Sequence, residues 1–462
     1  MWSLRWAGER RRHREGKRKR SEVCAFPLLV VILFGTNKCG PGGPHYSRPG
    51  GQRYSLMRGG QLARERDENP GHWRGGRRIG DNLVAMKKLS RREFMMTASA
   101  ATLAVSASPA LSAARTTRVF VGSNTPDGIL AFDWDGLTGE LKSAGVAAKL
   151  ANVDWITYAP GREFLYAASE VDSFNGKPTG EVASYRVVNG ELRQISAANS
   201  ASKGTCHIAL DRTGRVLLEA DYGGGSAGSF LIQDGRLSQL AWSEHYTEHG
   251  PNASRQEGAH AHFASFSPDN SFAYINDLGG DCIHIYRLDA ATARLTAAGS
   301  FRADPGAGPR TLHFHPNGVT AYLVNEMGSS VCVLAWNKAD GSLSRTAHFE
   351  LLEKGEDHTI STGCDTVISR DGRSVYFAHR GIDFLSQFKA DGKSGALTPV
   401  GRTSCGGKTP RNFVLDPTES WMLVANQGSS QISVFRRDKV TGALAGEGKS
   451  YAAPAPMCIL FG

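Results

Sequence analysis

After Ala114 one phrase of sequence keeps returning: an apolar strand, a Pro-Asp/Asn-Gly-like turn, a second strand, a Gly/Ser turn and a third strand. It reads HIALDRTGRVLLEADYGGGSAGSFLI from His207 and HFASFSPDNSFAYINDLGGDCIHIYRLD from His262. It reads LHFHPNGVTAYLVNEMGSSVCVLAWN from Leu312, TVISRDGRSVYFAHRGIDFLSQFK from Thr366 and FVLDPTESWMLVANQGSSQISVFRRD from Phe413. A looser copy, WITYAPGREFLYAASE, starts at Trp155. The turn residues Gly161, Gly214, Asn270, Gly318, Gly372 and Glu419 lie 47 to 56 apart. A period of about 50 residues, with about four alternating strands per unit, is the signature of β-propeller blades. One twisted sheet cannot bury both of its faces, whereas a closed ring of sheets can.

Six copies leave both ends incomplete. The front, VFVGSNTPDGILAFDWDGLTGEL, begins at the second strand of the phrase, and the tail, PMCILFG, is a lone apolar strand. Together they make a seventh blade, so the expected fold is an all-β, seven-bladed propeller over residues 117–462, closed by its C-terminal strand and left without an exposed edge.

In a blade, the residue before the first strand and the residue closing the second lie at the same end of the ring. This pairs Arg310 with Glu326, His262 with Asn276 and Asp277, and Cys364 and Asp365 with His379 and Arg380. It also pairs Arg411 with Asn426 and Gln427, and His207 with Asp221. Charged and imidazole groups therefore converge on one mouth of the channel. His260 and His262 are spaced as two metal ligands could be, but no further carboxylate–histidine cluster has ligand spacing, and no metal or other cofactor is expected. The run Gly224-Gly225-Ser226-Ala227-Gly228 matches the G-x-S-x-G nucleophile pattern. That pattern needs a helix after the serine, and here a strand follows, so Ser226 is read as a turn residue.

The chain carries a net charge of +10, but residues 1–85 alone hold 18 Lys/Arg against 7 Asp/Glu, which leaves the rest close to neutral. A nucleic-acid partner is therefore not expected. Residues 1–85 read as a disordered basic extension, with a charge run, a Gly/Pro-rich stretch and an apolar segment too short to span a membrane. Translation is expected to start at Met86, where MKKLSRREFMMTASAATLAVSASPALSAA reads as a twin-arginine signal over 86–114, with Arg91 and Arg92 as the pair. The expected route is the twin-arginine export machinery, the expected location the periplasm, with no stable membrane anchor. Six cysteines follow the signal without CxxC spacing; they read as small buried hydrophobes and no bridge is assigned.

EGAHAHFASFSPDNSFAYINDLGGD, GPRTLHFHPNGVTAYLVNE and GGKTPRNFVLDPTESWMLVANQ resemble signature blades of the seven-bladed lactonase family, which includes bacterial propeller-type 6-phosphogluconolactonases and fungal carboxy-muconate lactonizing enzymes. The likeness runs over most of residues 117–462. It implies a lactone-hydrolysing enzyme with a small-molecule lactone substrate and a catalytic set of His262, Arg310, Glu326 and Arg380. Glu326 or His262 would act as general base and the arginines would stabilise the oxyanion. His260, Arg411, Asn426, Asp277 and Arg255 are the expected substrate-binding residues, with Arg255, Lys408 and Arg411 supplying charge for a phosphorylated substrate. Two departures from the family pattern are Ala259, where proline is usual, and Asn412, where histidine is common. The alternative to an enzyme is a non-catalytic propeller that binds a ligand or protein at its rim.

Overall fold

The strand Thr320–Asn325 is buried at every position, which is possible only where sheets pack on both of its faces. Its side chains alternate between them. Ala321 and Leu323 join Phe272, Tyr274 and Ile285 of the preceding repeat, whereas Tyr322 and Val324 join Val375 and Phe377 of the following one. The computed structural model, which describes residues 116–462, carries this arrangement through a full circle. Seven four-stranded antiparallel sheets enclose an axis, and seven apolar clusters lie one between each successive pair. The fold is the seven-bladed β-propeller that the repeat implies. The extension expected at 1–85 and the export signal expected at 86–114 lie outside the described residues.

Blades are numbered by their second strands: Thr117–Ser123, Phe164–Ser169, Val216–Asp221, Phe272–Asp277, Thr320–Asn325, Ser374–Arg380 and Trp421–Asn426 for blades 1 to 7. In blades 2 to 7 the innermost strand directly precedes the second in sequence. In blade 1 the innermost place is taken by Pro456–Phe461, antiparallel to Thr117–Ser123, with Val119 opposite Phe461 and Val121 opposite Ile459. Asn412 fastens this closing strand: its Oδ1 accepts from Ile459 N at 3.0 Å while its Nδ2 donates to Asp365 Oδ2 at 2.9 Å. The residue that departs from the family pattern thus links blades 6, 7 and 1.

The six turn residues picked out by the repeat all have positive φ, from 56° at Glu419 to 89° at Gly161. Successive blades are also tied by a repeated tyrosine. Tyr274 Oη donates to Gly341 O and Tyr322 Oη to Gly395 O, each at 2.8 Å, and Tyr376 Oη reaches Gly442 O in the same way. Among the described residues no helix is long and apolar enough to cross a membrane. All six described cysteines are free and buried, as expected of small hydrophobes.

One irregularity recurs in every blade. Near the start of each innermost strand the pairing with the second strand skips a residue, forming a β-bulge. The extra residues are Met457, Asp154, Cys206, His262, Arg310, Cys364 and Arg411 for blades 1 to 7. A bulge re-aims a side chain out of the strict alternation of the strand, and here it does so at one end of the channel.

Candidate active site

Two blade positions supply most of the wall of this mouth: the bulged residue of the innermost strand and, on the second strand, the residue after the one that pairs just before the bulge. A cavity of about 190 Å³ is lined by Cys206, His262 and Arg411 from the first position and by Glu170, Tyr222, Glu326 and Arg380 from the second, with Arg255 added from the loop before blade 4. Beneath it a small space is lined by Cys206, His262 and Arg411 together with Trp155, His207 and Phe263. There Trp155 and His207 meet with ring centroids 4.5 Å apart, His207 and Phe263 at 3.9 Å, and Phe263 and His313 at 5.1 Å. Trp155, His207 and Phe263 also line a wider opening, with Thr157, Arg212 and Phe314.

Glu326 stands at the centre of the charge. Arg310 Nε donates to its Oε2 at 2.9 Å, Arg255 Nη2 donates to its Oε1 at 2.6 Å, and Arg380 Nη2 lies 2.7 Å from Oε2. The carboxylate is 2% exposed. Burial alone would raise its proton affinity, but Arg380, Arg310, His262 and Arg255 together hold it well below the usual carboxylate range. Three guanidiniums around a single carboxylate leave this wall with surplus positive charge, and Arg310 spends a further donor on Cys364 O.

His262 sits beside this group with its Nδ1 unpartnered. Burial, reinforced by Arg310, pushes its imidazole well below its ordinary value, so the ring is neutral near pH 7. Both histidine rings meet Tyr222, His260 stacked at 4.5 Å and His262 edge-on at 5.7 Å. His260 does not line the cavity; its Nδ1 lies 2.9 Å from Tyr222 O and its Nε2 lies 3.5 Å from Glu257.

The far wall is built from blades 7 and 2. Arg411 Nη2 lies 3.4 Å from Asp154 Oδ1. Burial favours protonated Asp154 and Arg411 opposes it; a buried guanidinium stays charged, so the ion pair is the form that leaves no unpaired cation. Glu170, half-buried beside them, has no hydrogen bond or ion pair to its side chain among the described residues. Burial and then the neighbouring charge of Asp154 push its carboxyl up to about 8.

Asp277 and Asn426, expected to bind substrate, are placed elsewhere. Each is 0% exposed and turned into its own blade. Asp277 Oδ1 accepts from His260 N at 2.8 Å and Gly280 N at 3.0 Å, while Asn426 Nδ2 donates to Cys405 O and Ser433 Oγ, both at 3.0 Å. They pair with the residue just before the bulge, as Ser169, Asp221, Asn325 and His379 do in other blades, and the cavity-facing residue is the next one. Expecting Asp277 and Asn426 in the cavity is an error of a single residue in register. The same shift explains why Glu170 and Tyr222 escape notice, although Glu170 follows Ser169 just as Glu326 follows Asn325. Lys408 also stands away from the cavity, 3.2 Å from Asp383. Ser226 opens a strand rather than a helix, and its buried Oγ donates to Asp221 Oδ2 at 2.8 Å.

The profile of the family described as "Lactonase, 7-bladed beta-propeller" matches residues 118–461. The chain is similar to the 6-phosphogluconolactonase of Bacillus subtilis, being 32% identical over 349 residues that cover 74% of this chain and 97% of the relative. It is 31% identical over 338 residues to a protein of the same name from Formosa agariphila, covering 71% of this chain and 94% of the relative. Among solved structures it resembles the periplasmic gluconolactonase of Pseudomonas aeruginosa, with a TM-score of 0.69, 30% identity, and coverage of 75% of this chain and 98% of that one.

Proposed function

The chain belongs to the seven-bladed β-propeller lactonase family, and from that premise we propose that it hydrolyses a sugar-type lactone, of the gluconolactone or 6-phosphogluconolactone kind, in the polar cavity at the propeller mouth. The observation that carries this reading is the arginine-rich polar cavity itself. Arg255, Arg380 and Arg411 line it, and their surplus charge suits an acyl oxyanion and the carboxylate that ring opening produces. Relatives named 6-phosphogluconolactonase support the substrate class.

In the proposed reaction the lactone carbonyl oxygen turns towards Arg380, and a water attacks the carbonyl carbon while a general base accepts its proton. The tetrahedral intermediate collapses by breaking the bond between that carbon and the ring oxygen. The ring oxygen takes that proton and becomes a hydroxyl, and the acyl carbon is left as a carboxylic acid, which gives its remaining proton to solvent and becomes a carboxylate. Glu326 and His262 were the expected bases. The arginines drain the proton affinity of Glu326, and burial beside Arg310 drains that of His262. Glu326 therefore serves to hold Arg310, Arg380 and Arg255 in register, and neutral His262 serves as a hydrogen-bonding contact for substrate.

The test is acid release from 1,5-gluconolactone and its 6-phosphate, each measured against spontaneous ring opening. Acceleration of one or both is the expected result. No acceleration of either would overturn the reading in favour of a binding propeller. The proposal extends to export: the Arg91-Arg92 pair and a structural relative described as periplasmic both support a periplasmic enzyme.

A further inference from the structure

We infer that Glu170 of blade 2 is the general base that activates the attacking water, facing the arginine-bound carboxylate Glu326 across the cavity. The inference rests on the hydrolytic reading above and names the residue that the reading still requires. Position argues for it first. Glu170 occupies in blade 2 the cavity-facing place that Glu326 occupies in blade 5 and Arg380 in blade 6, and all three line the same cavity. In a ring of seven blades, blades 2 and 5 stand on opposite sides. A lactone whose carbonyl oxygen rests against the arginine wall therefore has its carbonyl carbon between that wall and Glu170, where a water held by Glu170 can approach a face of the carbonyl.

Partners argue for it next. Glu326 is held by three arginines, Asp154 by Arg411, and Asp365, in the layer below, by His313 and Asn412. Glu170 alone among the carboxylates lining the cavity keeps its oxygens free, and a base must have a free lone pair to take a proton from water. The other titratable groups lining the cavity are poorly suited. His262 is held neutral with little proton affinity, and burial raises the hydroxyl of Tyr222 and the thiol of Cys206, leaving both protonated. The same burial, with Asp154 beside it, moves Glu170 up to about 8, close to the working range of a general base near neutral pH.

In the step this assigns, the water oxygen bonds to the carbonyl carbon as Glu170 takes one of its protons. Glu170 then returns that proton to the ring oxygen as the carbon–ring oxygen bond breaks. No co-reactant is needed.

The test compares wild type, Glu170→Gln and Glu170→Ala on whichever lactone the wild type opens. Glu170→Gln is expected to lose about 10²–10⁴-fold in kcat with KM little changed, and to lose the acidic limb that the wild-type kcat–pH profile shows. Added formate should restore part of the rate to Glu170→Ala but not to wild type. Because the side chain has no partner to lose, the melting temperature should stay close to that of wild type. Should either variant fail to fold, infrared difference spectroscopy on wild type provides the second arm. A carboxylic acid C=O band that disappears as pH rises through about 8 is expected, and its absence would overturn the inference. A Glu170→Gln enzyme with wild-type kcat and an unchanged acidic limb would overturn it while leaving the hydrolytic reading intact. A wild type that opens no lactone would overturn both.

Discussion

Asn325 and Glu326 are consecutive residues with opposite allegiances. The Asn325 amide turns into blade 5, donating to Ser330 Oγ at 3.0 Å, while the Glu326 carboxylate turns into the cavity and gathers three arginines. Substitution should separate the two roles. Asn325→Ala is expected to cost about 1–3 kcal/mol of stability, the price of a lost buried hydrogen bond, with turnover per folded molecule unchanged. Denaturant melts and single-temperature kinetics on the same samples check this.

Glu326→Gln should reduce both stability and turnover, because it leaves three guanidiniums without their counter-charge. Breaking a buried pair on one side costs about 3–5 kcal/mol. The pH dependence has a definite sign. A carboxyl held below its unfolded value of 4.5 contributes fully above that pH and loses its contribution as pH falls below it. The stability gap between wild type and Glu326→Gln should therefore be widest above pH 4.5 and narrow in more acid solution. A gap independent of pH would show that the ion pairing contributes nothing.

Arg380→Lys keeps the charge but removes the planar fork that can hold Glu326 and an oxyanion together. Turnover should fall about 10²-fold, in line with the loss of one oxyanion donor, with a smaller change in KM. Steady-state kinetics decide; an effect confined to KM would make Arg380 a ground-state contact.

The ring depends on its last strand. Deleting residues 456–462 removes the partner of Thr117–Ser123 and uncovers Val119, Trp134 and Leu423, which pack with Ile459 and Phe461. The truncated protein is expected to aggregate or to lose cooperative unfolding. A monomeric, cooperatively melting product would contradict closure by this strand.

Replacing Arg91 and Arg92 by lysine should hold the protein in the cytoplasm. Fractionation of cells expressing the two forms is the check, and equal export of both would set the twin-arginine assignment aside.

The repeat made the propeller legible because each blade writes the same alternation and the same turn, and turn residues such as Asn270 and Gly318 must take positive φ wherever the phrase occurs. The resemblance pointed to His262, Arg310, Glu326 and Arg380, and the structure brings Arg310, Glu326 and Arg380 into direct contact with His262 beside them. What the sequence did not disclose was register. A bulge is one residue long and leaves no compositional mark, so the blade pattern suggested Asp277 and Asn426 for a cavity that Tyr222 and Glu170 line. The pairing of Arg411 with Asp154 reaches from blade 7 past blade 1 to blade 2, a contact that no local pattern could announce.

The bulge near the head of every innermost strand has a further consequence. A residue that the ladder skips is released from the demands of sheet pairing, and in this chain that place holds Asp154, Cys206, His262, Arg310 and Met457 on nearly identical frames. The ring thus separates the alphabet of its inner wall from the grammar of its fold. New chemistry can be written there one blade at a time, and the sheets behind it need not be relearned.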